Sequence, residues 1–168
     1  MSHALAQARI EFVDAATDPW HAAPDAPQPE AHLLLTPAQW RDLGASWPSD
    51  LPVGLHLAND EDLEDLEALE ADLPRFAVIE LHFPKWTDGR AYSQAHLLRS
   101  RLRYRGTLRA AGDVVADMLP LLARTGFDAV RLRADQRRET AQRALGYFEG
   151  FYQGDSVHPQ PLFSAEAH

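Results

Sequence analysis

The sequence predicts an α/β protein: four consecutive β-α units forming a mainly parallel sheet, either an open sheet or a partial β/α barrel, with an irregular N-terminal extension. Three observations lead there. From Pro52 onward, short apolar runs of strand length alternate with segments of helical period. Each helical segment opens just past the end of its strand, and proline or glycine closes it. The third and fourth units also look alike, "GTLRAAGDVV" against "GFDAVRLRADQR", each with glycine before the strand, arginine in it and aspartate closing it.

The elements follow in order. Residues 1–50 read as an extension: "ARIEFVD" is a short strand, "AATDPWHAAPDAPQPE" an Ala/Pro-rich loop, and "HLLL" a second short apolar run. "TPAQWRDL" is a helix with Thr36 as N-cap and Pro37 in its first turn. The core domain spans 51–153. "VGLHLAND" ends in Asn59 and Asp60, either of which can cap "EDLEDLEALEADL", where Leu63, Leu66 and Leu73 keep helical spacing until Pro74. "RFAVIELHF" is a buried strand, followed by a basic helix over about Tyr92–Tyr104 with Gly106 as its left-handed C-cap. "TLRAA" is the next strand, and Asp113 caps "VVADMLPLLART", which Pro120 should kink. "FDAVRLR", Asp135 and "RRETAQRALGYFEG" complete the fourth unit, and 154–168 form a C-terminal tail.

Composition narrows the function classes. The 168 residues include 45% hydrophobic and 24% charged side chains, ordinary for a globular domain, and no apolar run approaches bilayer length. The N-terminus lacks a basic head followed by a long apolar stretch, so a cytoplasmic location is expected. Cysteine is absent, which excludes disulfides, thiolate nucleophiles and cysteine-ligated metal clusters within the chain. Net charge is −9, which speaks against nucleic-acid binding. The charge is uneven, however. Residues 1–84 hold 3 basic and 16 acidic side chains, net −13; residues 85–168 hold 13 and 9, net +4. An anion site or acidic partner is therefore expected in the second half.

Ligands of parallel α/β sheets meet the carboxyl ends of the strands. Asn59 and Asp60, Lys85 to Arg90, Gly112 with Asp113, and Asp135 all fall there, although capping alone also places Asn and Asp at such positions. The turn "PKWTDGR" is the strongest candidate. Lys85 and Arg90 flank an Asp88-Gly89 reversal, with Ser93 and the first amides of the basic helix beside them, a receptor for sulfate, phosphate or carboxylate. Arg99 and Arg103 share one helix face and Arg101 and Arg105 another, suggesting a docking surface. None of the eight histidines has metal-ligand spacing, so no metal site is expected. His56 and His82 sit within strands, facing either one common side or the core. The chain has neither a dinucleotide fingerprint nor a phosphate loop.

The residues Phe83, Lys85, Asp88, Gly89, Arg90, Tyr92 and Ser93, followed by Leu108, Arg109, Ala110, Gly112, Asp113 and Val114, match a longer pattern. It resembles that of the DUF934 family, F-x-K-F-x-D-G-R-x-Y-S and then G-x-L-R-A-x-G-D-V, with Trp86 in place of the usual phenylalanine. The resemblance spans roughly Leu51 to Gly150. It implies an association with assimilatory sulfate reduction, for a family whose members often carry an oxidoreductase label. On that resemblance the expected function is an accessory protein of sulfite reduction. It would hold a small oxyanion at Lys85, Arg90 and Ser93, with Arg109, Gly112 and Asp113 nearby, and dock to the sulfite reductase hemoprotein or another sulfate-assimilation enzyme through Arg99 and Arg103 or the acidic helix. One alternative is a stand-alone oxidoreductase in which the same cations grip the phosphate of a cofactor such as FMN and Asp88 or Asp60 transfers protons. The other is a non-catalytic structural adaptor.

Overall fold

The structure, a computed structural model, describes residues 10–146. Within that span seven strands form one sheet: β1 Glu11–Phe12, β2 His21–Ala22, β3 Leu33–Leu35, β4 Val53–Leu57, β5 Phe76–Phe83, β6 Thr107–Gly112 and β7 Ala129–Val130. Their order is β1-β7-β6-β5-β4-β3-β2, and every pairing is parallel. Between β4 and the end of the described chain run the four expected β-α units, with α2 Leu63–Glu67, α3 Arg90–His96, α4 Leu119–Arg124 and α5 Arg138–Gly146; α1, Pro37–Leu43, precedes them. The sheet curls into a half-barrel, which decides between the two architectures left open. The tail at 154–168 and the last turn of the fourth helix lie outside the described residues.

Strand alternation sorts the side chains. Leu55 and Leu57 of β4, Ile79, Leu81 and Phe83 of β5, and Leu108 of β6 are fully buried and pack with Ala91, Ala95 and Leu98 of the helical layer. Each of these leucine, isoleucine and phenylalanine side chains contributes about 1.5–3 kcal/mol of burial free energy. The alternate residues point to the opposite, inner face of the curl. There the register stacks them in layers: Gly54, Val78 and Thr107 lowest, then His56, Glu80, Arg109 and Ala129. His82 and Ala111 pair in the layer above, where Arg131 follows β7.

Because β1 and β2 are the opposite edges of an all-parallel sheet, residues 13–20 must return from the carboxyl end of one edge to the amino end of the other. This strap crosses the inner face. The Ala/Pro-rich stretch read as loop therefore supplies both a strand, β2, and the crossing segment.

Several local expectations change. The α1 cap is as expected, Thr36 accepting from Gln39 N–H while the Gln39 side chain reciprocates. Asp62, not Asn59 or Asp60, caps α2, which is only one turn long before a 3-10 segment over Glu70–Arg75. Beyond α3 the basic helix continues as a π turn, Leu97–Arg101, and the left-handed residue that ends it is Arg103 at φ 55°. Gly106 instead permits a close approach, since a Cβ there would run into the Tyr104 hydroxyl and lie 2.9 Å from the Phe76 carbonyl. Pro120 does not kink a long helix. It sits in the first turn of α4, where its missing N–H costs nothing.

Candidate functional site

The turn after β5 is organised around Asp88. Arg90 donates to it through its backbone N–H at 3.1 Å, Nε at 3.2 Å and Nη2 at 3.0 Å, and Asn59 donates at 2.7 Å. The hydrogen bonds from Arg90 hold the Asp88 carboxyl below its ordinary value, with Asn59 adding to the effect. Arg90 thus already has its carboxylate. Lys85 and Ser93 are exposed beside it, as is Asp60 on the preceding turn. Asp113 does not cap its own helix. Its carboxylate accepts from Trp86 N–H at 2.8 Å and from Arg133 Nη1 at 2.6 Å, pinning the turn after β5 to the chain after β7. Trp86 itself remains 56% exposed.

Arg99 is turned inward. Its guanidinium donates to the carbonyls of Gly126, Tyr104 and Gly106 and pairs with Asp128, so it clasps together the loops that precede β6 and β7. Arg103 stays on the surface, and Arg101 pairs with Glu67 at 2.6 Å.

Arg109 is also absent from the turn. It lies on the inner face, 2% exposed, with Nη1 2.8 Å from Asp18 of the strap and Nη2 2.6 Å from Glu80 of the neighbouring strand. Glu80 is 3% exposed. Its other oxygen lies 3.1 Å from Nδ1 of His56. Since Glu80 is a carboxylate, Nδ1 must be the donor, which leaves Nε2 of His56 as the nitrogen open to a ligand. Arg131 approaches both acids, at 3.5 Å from Asp18 and 3.7 Å from Glu80. Burial pushes the Glu80 carboxyl up, but the His56 hydrogen bond and the charges of Arg109 and Arg131 outweigh it and hold the group down at about 2. Two carboxylates therefore face two guanidiniums, and the fixed charges cancel.

Above this layer the face opens. The His82 ring lies 5.7 Å from that of His56. Its register partner on β6 is Ala111, which is fully buried, and Arg131 follows on the next strand. Gly112, at φ 95°, makes room for the imidazole, since a Cβ there would sit 2.8 Å from Cε1 of His82 and would strike the Phe83 carbonyl. Burial and the neighbouring His56 lower the His82 pKa against the pull of Glu80. Both effects favour the neutral imidazole. His56, His82 and Arg131, at the carboxyl ends of β4, β5 and β7, form a mouth of two imidazoles and one guanidinium over a neutralised floor. Asp18, Glu80 and Arg131 were not among the sequence candidates. The available signal was the alternation of Glu80 and His82 with Ile79, Leu81 and Phe83, which places both polar groups on one face of a strand.

Fold and site define a half-barrel α/β protein with a polar inner face. The model of the bacterial protein family of unknown function DUF934 matches residues 54–163, and the chain belongs to that family. No curated protein and no solved structure matches the chain. Among the described residues no helix is long and apolar enough to cross a membrane, and no group of His, Asp and Glu has the arrangement of a metal site.

Proposed function

We propose that the protein is an accessory of assimilatory sulfite reduction that takes a small oxyanion at the mouth formed by His56, His82 and Arg131. The convergence of these three side chains at the strand carboxyl ends carries this reading. An oxyanion there accepts from the Arg131 guanidinium and from Nε2 of His56, and its charge draws a proton onto His82. Glu80 and Arg109 hold the imidazole and guanidinium in place without adding net charge. The exposed Lys85 and Trp86 rim the same end of the sheet and offer a surface through which the sulfite reductase hemoprotein could dock.

Growth of a deletion strain of the host tests the process. It should fail with sulfate or sulfite as the sole sulfur source and recover with cysteine. A plasmid copy should restore growth, and the Arg131→Gln copy should not. Normal growth of the deletion strain on sulfite would sink the assignment to sulfite reduction.

A further inference from the structure

The two imidazoles of the mouth are held differently. Nδ1 of His56 lies 3.1 Å from Glu80, which is 3% exposed and held at its other oxygen by Arg109 at 2.6 Å. The ring cannot turn away without leaving a buried carboxylate oxygen unpaired. Proton exchange is therefore confined to Nε2, and the His56 side chain is 30% exposed. His82 lies 5.7 Å away, ring to ring, and among the described residues no hydrogen bond ties it to a carboxylate. Its surroundings favour the neutral form.

Fixed donors suffice to hold an anion; a ring that favours its neutral form adds a proton acceptor to them. A carboxylate-backed imidazole beside a neutral one is an acid and a base available at the same pH. Charge narrows what they act on. Asp18 and Glu80 cancel Arg109 and Arg131, so a proton on Nε2 of His56 leaves the mouth with one positive charge. That matches one negative charge, as on a phosphate diester or a sulfate monoester. Arg131 keeps N–H groups for it, since its distances to the two acids, 3.5 and 3.7 Å, exceed the 2.8 and 2.6 Å of Arg109.

We propose that the mouth hydrolyses singly charged esters of phosphoric or sulfuric acid, with His56 as general acid, His82 as general base and Glu80 as the positioning residue behind His56. The activity rests on the reading of the mouth as an oxyanion site. Arg131 holds the non-bridging oxygens. His82 takes a proton from water as the water oxygen bonds to phosphorus or sulfur. The bond to the ester oxygen breaks, its electron pair leaves with that oxygen, and Nε2 of His56 supplies the proton. The products are the acid anion and the alcohol. His82 then returns its proton to solvent and His56 takes one up.

The full chain is assayed with bis(4-nitrophenyl) phosphate, 4-nitrophenyl sulfate and the two corresponding phenyl esters. Saturable turnover is expected, and the faster nitrophenyl ester tells the phosphate from the sulfate class. His82→Asn should lower kcat/KM by about a hundredfold or more on every ester cleaved. Nitrophenolate leaves without a proton, whereas phenolate needs one. His56→Asn should therefore lose little on the nitrophenyl ester and about a hundredfold on the phenyl ester. Glu80→Gln should show the same dependence on the leaving group, which a merely structural role would not produce, and its nitrophenyl turnover reports that it is folded. Equal losses on both leaving groups, or turnover untouched by His82→Asn, would overturn the proposal. Sulfite binding without cleavage of any ester would sink the activity and leave the oxyanion reading standing; absence of both would sink both.

Discussion

Glu80 and Arg109 occupy the same register on neighbouring strands, and Nη2 of the arginine lies 2.6 Å from Oε2 of the glutamate. Both are almost wholly buried, and each has a second partner on another element, His56 on β4 for Glu80 and Asp18 on the strap for Arg109. One ion pair therefore ties three strands to the segment that crosses the sheet. It also supports the mouth above, where Glu80 holds the His56 ring.

Removing one partner of such a pair leaves an uncompensated buried charge. Arg109→Met is expected to lose about 3–5 kcal/mol in urea unfolding. Glu80→Met together with Arg109→Met should lose less than the two single changes added, because the second substitution removes the charge that the first one strands.

The low pKa of Glu80 sets an acid limit. Its folded value of about 2 lies below the ordinary 4.5, so the folded state binds fewer protons than the unfolded chain between those values. The stability it contributes is complete above pH 4.5 and is lost as pH falls toward 2. Urea midpoints measured across that window should fall steeply for wild type and more shallowly for Glu80→Gln.

Gly112→Ala combines a left-handed backbone with a steric clash. It should cost about 1–3 kcal/mol in thermal unfolding and, by displacing the His82 ring, weaken oxyanion binding as well. Gly89→Ala is the control, because a Cβ there meets nothing nearer than 3.8 Å and its effect should be small.

Local signals carried much of the fold. The Thr36-Pro37 start, the apolar runs and the alternation of strands with helices announced α1 and the four β-α units, because caps and periodicity are short-range physics. What depended on pairing was hidden. His56, Glu80 and Arg109 are contiguous only once the β4–β5–β6 register is known, and Asp18 meets Arg109 across 91 positions from within a stretch rich in Ala and Pro. Asp113 read as a helix cap because aspartate before a helical segment usually is one. Here its carboxylate is claimed by Trp86 and Arg133 from two other loops. Arg99 read as a surface charge from helix spacing, yet the π turn at Leu97–Arg101 brings it to three carbonyls.

The most direct test of the account is a calorimetric titration with sulfite of wild type, Arg131→Gln and Arg90→Gln. A charge-assisted hydrogen bond lost at the mouth predicts affinity lower by about tenfold or more in Arg131→Gln. Arg90, already paired with Asp88, predicts little change in Arg90→Gln. The opposite result, binding lost with Arg90 and kept without Arg131, would move the site to the turn after β5. Absence of binding in all three would contradict the oxyanion reading itself.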